Sequence, residues 1–222
     1  MDFLKSADFF VFDFDGTLFD TVGKASQIDR ELLHMHGVPD FDRKAVEEEI
    51  NGLSCAAYMA YLRAKFTLAA DVPTLQADLF AIVARVYPAC SFVRGALPLL
   101  ALLKARGKKV GIATAAGREM LEIVFQHFPQ FARLVDCLVT CEEAGASKPD
   151  PAVYLRCLEG LGGQVSRAVV FEDTVAGLRG ARASGMFVVG VISDSANSAA
   201  KAALSDCSGT DLEWVCEFMG CE

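Results

Sequence analysis

Two aspartates stand two residues apart at the end of an apolar run, in the segment "FFVFDFDGTLFD" of residues 9–20. Successive side chains of a β-strand point to opposite faces, so Asp13 and Asp15 share a face if the strand runs through them. Asp20 follows close behind. Carboxylates gathered in this way repel one another, so the segment predicts a site with a special electrostatic task.

Further polar residues follow three later apolar runs. Thr114 and Ala115 come after the second run, Lys148 after the third within "AGASKPD", and the pair Glu172 and Asp173 after the fourth. Helix capping, turn formation or a solvated loop would explain any one of these residues alone. In an open parallel sheet, however, ligands bind beyond the carboxyl ends of the strands. Because all four loops agree, we predict that these residues converge with the paired aspartates.

The converging charges predict a divalent cation. Asp13, Asp15, Glu172 and Asp173 carry four negative charges against the one positive charge of Lys148, a sum of −3 when all are ionised. Two unit charges about 4 Å apart cost roughly 4 kcal/mol at an effective dielectric constant of about 20. A divalent cation brings the sum to −1, and a set of oxygen ligands suits Mg²⁺ better than zinc. Mg²⁺ is therefore the expected cofactor.

The elements that must position these residues alternate between strand and helix. Such βαβ units predict a Rossmann-like, doubly wound parallel α/β sheet with helices on both faces. The predicted strands are Phe9–Phe14, Val110–Ala113, Leu134–Thr140, Ala168–Phe171 and Phe187–Val191, and the predicted helices between the later ones are Arg118–Phe128, Pro151–Leu161 and Thr174–Ala183.

One long interval after the first strand breaks this alternation. It carries no strand pattern but shows helical stretches near residues 22–36, 45–50, 54–66 and 74–86. Roughly seventy residues are far too many for a loop of an α/β unit, which is typically about 2–6 residues long. We therefore predict a catalytic core of residues 1–18 and 92–222 with an inserted, all-helical cap domain of residues 19–91.

Composition limits the possible partners. The chain of 222 residues is 53% hydrophobic and 23% charged, as in an ordinary globular protein with a sizeable core. The net charge of −8 argues against broad binding of nucleic acid or of an anionic membrane. No signal peptide is recognisable, and no stretch approaches the ~18 apolar residues of a membrane span. Eight cysteines without a CxxC pair are interpreted as reduced thiols of a cytoplasmic protein. The sequence gives no information on the oligomeric state.

Four segments together resemble the motifs of the haloacid dehalogenase superfamily: "DFDGTLFDT", "GIATAAGRE", "ASKPDPAVY" and "FEDTVAGLRGARASGM". The branch that the chain resembles most contains β-phosphoglucomutase, phosphoglycolate phosphatase and related sugar phosphatases. The resemblance extends over essentially the whole chain, including a helical cap domain after the first motif. It implies a magnesium-dependent phosphoric monoester hydrolase acting on a small phosphorylated metabolite, such as a sugar phosphate or phosphoglycolate.

The resemblance also implies a role for each site residue. Asp13 would be a Mg²⁺ ligand and the nucleophile that forms an aspartyl-phosphate. Asp15 would protonate the leaving oxygen, later activate water, and give its backbone carbonyl to the metal. The other implied roles are binding of phosphoryl oxygens by Thr114 and the backbone N–H of Ala115, neutralisation of the nucleophile and phosphoryl group by Lys148, and metal binding by Glu172 and Asp173.

The electrostatics of the reaction agree with these implied roles. A carboxylate that approaches a phosphate dianion meets about two unit repulsions, roughly 8 kcal/mol at 4 Å and a dielectric constant of 20. Mg²⁺ and Lys148 make that approach feasible, because phosphoryl transfer depends mainly on positioning and charge stabilisation. A covalent intermediate on Asp13 splits one hard step into two easier steps. The paired aspartates are therefore interpreted as a nucleophile and its acid–base partner.

A phosphomutase of the β-phosphoglucomutase type is the main alternative. Members of that branch place a histidine twelve residues after the nucleophile and basic residues around the cap loop, where this chain has Ala25, Asn51 and Cys55. A mutase must hold a second phosphate, which favours Lys or Arg. The sequence therefore favours a phosphatase, although an inward-turning cation from elsewhere in the cap stays open. Basic residues considered for this role are Arg43, Lys44, Arg63 and Lys65.

Two other activities are disfavoured. The presence of Asp15 argues against carbon–halogen hydrolysis, because the dehalogenase branch lacks this second aspartate. A non-catalytic nucleotide-binding module is weakened by the lack of a GxGxxG segment after any strand. Substrate specificity is expected in the cap domain, where Gly52–Ser54, Tyr58 and Leu62 are candidates to face the site; packing within the cap domain is the alternative use of Tyr58 and Leu62.

Overall fold

The computed structural model describes residues 2–193 and 197–220. These residues include one parallel six-stranded sheet. The strands are β1 (Phe9–Phe12), β2 (Lys109–Thr114), β3 (Cys137–Thr140), β4 (Ala168–Glu172), β5 (Phe187–Val191) and β6 (Cys207–Gly209). Their order across the sheet is β3-β2-β1-β4-β5-β6, and every neighbouring pair is parallel. The order changes direction at β1, so the carboxyl end of β1 lies where ligands bind in such sheets. The predicted Rossmann-like fold is confirmed.

Both faces of the sheet are covered, which explains why its strands are continuously apolar. On β1, Phe10 and Phe12 belong to one buried cluster, whereas Val11 belongs to a second cluster on the other face. The helices of the core are α1 (Asp2–Ser6), α6 (Ala96–Ala105), α7 (Arg118–His127), α8 (Pro129–Ala132), α9 (Cys141–Ala144), α10 (Ala152–Gly160), α11 (Val175–Ala183), α12 (Ser198–Ala203) and α13 (Glu213–Met219), with a 3-10 turn at Val165–Arg167.

The interval between β1 and α6 is helical, as predicted. It contains α2 (Val22–Met35), α3 (Glu47–Ile50), α4 (Cys55–Phe66) and α5 (Val72–Val86), with 3-10 turns at Arg43–Val46 and Tyr87–Ala89. Helix α5 packs against both α2 and α4. The side chain of Ser54 caps α4 by accepting a hydrogen bond from the N–H of Ala57. This insertion is the cap domain.

The two chain segments that connect the cap domain with the core run side by side. The N–H of Asp20 donates to the carbonyl of Ser91, and the N–H of Val93 donates to the carbonyl of Leu18, both at 2.9 Å. Phe19 forms an antiparallel bridge with Phe92. These contacts support boundaries near residues 18/19 and 91/92, which stay a prediction.

Two local expectations need correction. The third strand begins at Cys137 rather than Leu134, because the N–H groups of Leu134 and Val135 donate to the carbonyls of Phe131 and Ala132 in α8. The reduced thiols are confirmed at six cysteines, which are Cys55, Cys90, Cys137, Cys141, Cys157 and Cys207, but Cys216 is disulfide-bonded. A spacing pattern alone does not detect such a pairing.

No helix in the described part of the chain has both the length and the apolar character needed to cross a membrane. The cytoplasmic location stays a prediction.

Candidate active site

Strand register brings the predicted site residues together at one edge of the sheet. Phe12 pairs with Ile112 on one side and with Phe171 on the other. The N–H of Asp13 donates to the carbonyl of Phe171 at 2.9 Å, which places Asp13 beside the following residue, Glu172. The convergence expected from the sequence is therefore present in the fold.

Lys148 lies at the centre of the site, where it bridges two carboxylates. Its Nζ atom is 2.5 Å from Oδ1 of Asp13 and 2.5 Å from Oε1 of Glu172. All three side chains are almost completely buried. Burial alone would lower the pKa of Lys148, but the charges of Asp13 and Glu172 outweigh it and hold this pKa well above its usual value. Lys148 is therefore a permanent cation against the predicted nucleophile.

Glu172 is held by a dense set of hydrogen bonds from its own surroundings. The hydroxyl of Tyr154 donates to Oε1 at 2.9 Å. The N–H groups of Asp173 and Thr174 each donate to Oε2 at 2.9 Å, and the Thr174 hydroxyl donates to the same oxygen at 3.1 Å. Thr174 also caps helix α11 by accepting from the N–H of Gly177. Glu172 therefore orients Lys148 in addition to facing the acidic cluster.

The side chains of Asp13, Glu172 and Asp173 form a cluster that fits a metal ion. One carboxylate oxygen from each lies within 4.8 Å of the others. Burial raises the pKa of Asp13 to about 8 against the opposing effect of Lys148, with Glu172 adding to the rise. Burial and then the charge of Glu172 raise the pKa of Asp173 well above its usual value. Burial favours the protonated forms of Asp13 and Asp173, and the one charge of Lys148 does not balance three carboxylates. A hard cation is the ligand that such oxygens prefer.

Gly16 allows Asp173 to approach the first loop. It has a φ of +82°, and a Cβ atom there would overlap the Asp173 carboxylate. The hydroxyl of Thr17, which is buried, donates to Oδ1 of Asp173 at 3.2 Å. The "DGT" triplet thus fixes both the turn and one member of the acidic cluster.

The side chain of Asp15 turns towards the cap side of the site. Its Oδ1 atom accepts hydrogen bonds from the hydroxyls of Thr21 and Tyr87, both at 2.9 Å. Burial raises the pKa of Asp15, although the two hydroxyls oppose this rise. Because both donors use Oδ1, a proton held by this carboxyl belongs on Oδ2. Asp15 therefore has a fixed orientation with one oxygen left for proton transfer.

Thr114 lies at the end of β2, two residues beyond the strand partner of Phe12. Its hydroxyl oxygen accepts from the N–H of Ala116 at 3.0 Å, which leaves the hydroxyl proton for another acceptor. Thr114 is buried and Ala115 is half-buried. Their position agrees with the expected phosphoryl-binding role, which stays a prediction.

The cap loop around Gly52 touches Lys148 directly. The N–H of Lys148 donates to the carbonyl of Gly52 at 2.9 Å, and the N–H of Ser54 donates to the hydroxyl of Ser147 at 2.9 Å. Glu142 of α9 accepts from the N–H of Ala56 at the start of α4 at 2.6 Å. The predicted approach of Gly52–Ser54 to the site is therefore present. Leu62 is fully buried within the cap domain, which is its alternative use.

The four basic cap residues considered from the sequence differ in burial. Lys44 and Arg63 are exposed, as is Lys65, which pairs with Glu49 at 3.5 Å. Arg43, by contrast, is largely buried and lies close enough to lower the pKa of Asp15. Arg43 donates to Asp29 and Tyr58, both in the cap domain, and the possibility of an inward-turning cation stays open.

Sequence reasoning missed several residues that shape the site. Tyr87 and Thr21 hold Asp15, Tyr154 holds Glu172, and Asp29 pairs with Arg43. Thr21 is the last residue of the "DFDGTLFDT" segment, so the motif itself could have marked it as a site residue. The sequence pattern does not mark Tyr87 and Tyr154 as site residues, because an aromatic residue in a helical stretch is usually part of the hydrophobic core.

Comparison with known proteins gives one consistent result. Residues 10–191 match the family model described as haloacid dehalogenase-like hydrolase. The validoxylamine A 7'-phosphate phosphatase of Streptomyces hygroscopicus subsp. limoneus is 32% identical over 182 residues, covering 82% of this chain and 84% of the relative. Hexitol phosphatase B of Escherichia coli (strain K12) is 29% identical over 202 residues, covering 88% of each chain. The crystal structure of CbbY from Rhodobacter sphaeroides in complex with phosphate superimposes with a TM-score of 0.81 at 21% identity, covering 92% of this chain and 94% of CbbY.

Proposed function

The chain belongs to the haloacid dehalogenase-like hydrolases, as a phosphoric monoester hydrolase, and we propose that it is a magnesium-dependent phosphatase of a small phosphorylated metabolite. The reaction that we propose passes through an aspartyl-phosphate on Asp13. The observation that carries the proposal is the position of Lys148, whose Nζ is 2.5 Å from both Asp13 and Glu172. Similarity to a validoxylamine A 7'-phosphate phosphatase and a hexitol phosphatase supports a sugar-like leaving group.

In the proposed first step, an oxygen of Asp13 attacks phosphorus while Oδ2 of Asp15 gives its proton to the leaving oxygen. Burial favours the protonated form of Asp15, and the hydroxyls of Thr21 and Tyr87 keep its carboxyl in position. Lys148 offsets the negative charge that accumulates between nucleophile and phosphoryl group. The alcohol leaves and Asp13 carries the phosphoryl group.

In the second step, the ionised Asp15 takes a proton from water, and the water oxygen attacks phosphorus. The bond to Asp13 breaks, inorganic phosphate forms, and Asp13 returns to its carboxylate form. The hydroxyl of Thr114 and the N–H of Ala115 are the groups that we propose for the phosphoryl oxygens in both steps. Both steps use Asp15 as the acid–base group.

Asp13, Glu172 and Asp173, with the backbone carbonyl of Asp15, are the proposed ligands of Mg²⁺, and their oxygen atoms suit this ion. The bound ion would neutralise the nucleophile and the phosphoryl oxygens. Glu172 already accepts several hydrogen bonds, whereas fewer contacts engage Asp173. We therefore expect Asp173→Ala to raise the Mg²⁺ concentration needed for activity more than Glu172→Gln does.

The proposal is tested by release of inorganic phosphate from a panel of phosphorylated metabolites, with Mg²⁺ and after treatment with a chelator. Wild type should release phosphate only with Mg²⁺. The variant Asp13→Asn should stay folded and lose at least about 1,000-fold in rate, because an amide lacks the attacking charge. Undiminished activity after thorough chelation would remove the metal from the proposal. Retention of a tenth of the wild-type rate by Asp13→Asn would exclude Asp13 as the nucleophile.

A further inference from the structure

Two cysteines outside the acidic cluster face each other between helix α10 and the sheet. Cys137 is the first residue of β3, and Cys157 lies in α10, which packs against both β2 and β3. Cys157 is buried and Cys137 is half-buried. The phosphatase reaction proposed above uses neither of them. They form a pair of nucleophilic side chains without an assigned task.

Two glycines show how close the two sulfur atoms lie. Gly111 of β2 is the register partner of Cys137, and a Cβ atom on Gly111 would lie 2.4 Å from Sγ of Cys157. Gly160 follows Cys157 by three residues on α10, and a Cβ atom on Gly160 would lie 2.6 Å from Sγ of Cys137. Register partners on adjacent strands are neighbours, and so are residues three apart on a helix. Each sulfur therefore fills a space beside the other cysteine that a larger residue would occupy.

The two thiols also share a hydrogen bond. The S–H group of Cys157 donates to the carbonyl of Ile112 at 3.6 Å and has the sulfur of Cys137 as a second acceptor. A thiol that donates to a neighbouring sulfur stabilises the thiolate form of that neighbour. Cys137 is therefore the acceptor of the pair.

Arg118 of α7 supplies a positive charge next to Cys137. Its Nη2 atom donates to the carbonyl of Leu138, the residue after Cys137, at 3.0 Å. The same guanidinium pairs with Glu143, with Nε 2.5 Å from Oε1 and Nη2 2.9 Å from Oε2. The charge of Arg118 favours the thiolate of Cys137, whereas the charges of Glu143 and Asp136 oppose it.

These surroundings give the two thiols different ionisation states. The hydrogen bond from Cys157 lowers the pKa of Cys137 to about 7 against the effect of burial, and Arg118 adds to the lowering. The hydrogen bond with Cys137 and burial raise the pKa of Cys157 well above its usual value. Near neutral pH the pair therefore consists of a thiolate, which is the nucleophilic form of cysteine, and a protonated thiol.

We propose that Cys137 and Cys157 form a peroxide-sensitive thiol pair, in which Cys137 attacks the oxidant and Cys157 resolves the product to a disulfide. The Cys137 thiolate attacks one oxygen of hydrogen peroxide, the O–O bond breaks, and a sulfenic acid forms. The departing hydroxide takes up the proton that the Cys137 thiol had released. The Cys157 sulfur then attacks the Cys137 sulfur, its proton leaves with the hydroxyl group as water, and two electrons have passed to the peroxide.

The bridge would anchor both ends of the chain segment that carries Lys148, which lies between the two cysteines in the sequence. It closes a loop of about 20 residues and so restricts the unfolded chain. We expect Tm to rise by about 5 to 10 °C when the bridge forms.

Peptide mapping of the peroxide-treated protein tests the pairing. Trypsin cleaves after Arg156 and so separates the two cysteines into peptides of residues 134–156 and 157–167. After oxidation by hydrogen peroxide at about pH 7 and blocking of the remaining thiols, wild type should yield these two peptides joined, two hydrogen atoms lighter than their sum.

Cys141→Ala is the matched control, because Cys141 is a buried thiol on the same tryptic peptide as Cys137. The joined peptides should persist in this control and be absent from Cys137→Ala and Cys157→Ala. In Cys157→Ala the sulfenic acid on Cys137 has no resolving thiol, so dimedone should trap it. In Cys137→Ala dimedone should give no adduct on Cys157.

Thermal unfolding gives an independent measurement. Peroxide should raise the Tm of wild type and of Cys141→Ala by about 5 to 10 °C, and it should leave the Tm of Cys157→Ala unchanged. Cys157→Ala retains the disulfide of Cys216, so this comparison separates the new bridge from that one.

Two half-buried thiols, Cys90 and Cys207, serve as internal references, because burial raises the pKa of each. Cys137 should be oxidised at least about 10-fold faster than either at about pH 7. Equal rates for the three thiols, a joined peptide that persists in Cys137→Ala, or its absence from wild type would overturn the inference. None of these outcomes depends on the phosphatase activity.

Discussion

Asp13, the proposed nucleophile, and Lys148 form a buried ion pair at the centre of the site. Asp13 is buried, its pKa is raised to about 8 chiefly by that burial, and its opposing charge is Lys148. Without a neighbouring cation, the desolvation of a buried carboxylate destabilises the folded state, because no attraction offsets it. Lys148 therefore has two tasks, stabilising the folded site and preparing it for an anionic substrate.

Removal of this lysine should affect stability as well as activity. We expect Lys148→Met to abolish phosphate release and to lower the free energy of unfolding by about 3 kcal/mol or more, because it leaves Asp13 and Glu172 without their cation. The measurement is urea unfolding followed by the fluorescence of Trp214, the single tryptophan.

Lys104→Met is the matched control for that change. Lys104 pairs with Asp136 at 2.6 Å, but both side chains are about a quarter exposed, so its removal should cost less than about 1 kcal/mol. Equal losses in the two variants would show that Lys148 is an ordinary ion-pair partner, contrary to the account.

At the scale of elements, the contact between Gly52 of the cap domain and Lys148 joins the cap domain to the core. Gly52 has a φ of +87°, and a Cβ atom there would lie 2.9 Å from Cβ of Lys148, from its carbonyl oxygen and from Cβ of Ala176. Gly37 has a similar φ of +83° and nothing within 4 Å. The two glycines therefore share a backbone requirement but differ in contact.

We expect Gly52→Ala to lower kcat/KM for phosphate release at least about 10-fold, since the added methyl group pushes the cap loop away from Lys148. Gly37→Ala should leave kcat/KM within about twofold while costing a similar ~1 kcal/mol of backbone strain. Steady-state kinetics and thermal unfolding of both variants check this. A kinetic effect of the same size in both would mean that the loop contact does not control the reaction.

The helices and strands also show which parts of the site can be predicted from the sequence. Strand β1 and its terminal aspartates were predicted because apolar continuity and the spacing of Asp13 and Asp15 are local properties. Tyr87, by contrast, lies 72 residues along the chain from the carboxyl that it bonds, and helix periodicity says nothing about that meeting. The same applies to Arg43, whose partner Asp29 is 14 residues away on another element. Residues that act through tertiary contacts need the fold before their role can be recognised.

At the scale of the whole molecule, the acidic cluster links stability to pH and to metal. The folded-state pKa values of Asp13 and Asp173 are raised above the ordinary aspartate value, mainly by burial. The unfolded chain therefore loses these protons first as pH rises from about 4. Since these two folded-state carboxyls keep their protons in this interval, their contribution to stability falls as pH rises from about 4 to about 8 when no metal is present.

Addition of Mg²⁺ should reverse this loss. Bound metal replaces the retained protons, so the increase in Tm on adding Mg²⁺ should grow from pH 5 to pH 8. Thermal unfolding at a series of pH values measures it, with Asp173→Asn as the variant in which the increase should shrink. An increase in Tm that is independent of pH would separate metal binding from these carboxyls.

We propose that the protein as a whole hydrolyses a monophosphate rather than isomerising it. The most direct measurement follows inorganic phosphate and glucose 6-phosphate in one reaction, with β-glucose 1-phosphate and Mg²⁺ and without a sugar bisphosphate primer. Arg43 is paired with Asp29, and Ala25, Asn51 and Cys55 carry no positive charge for a distal phosphate. We therefore expect inorganic phosphate to be the main product, at a rate that a bisphosphate primer does not increase. Formation of glucose 6-phosphate faster than inorganic phosphate, in dependence on the primer, would contradict the account and identify a mutase.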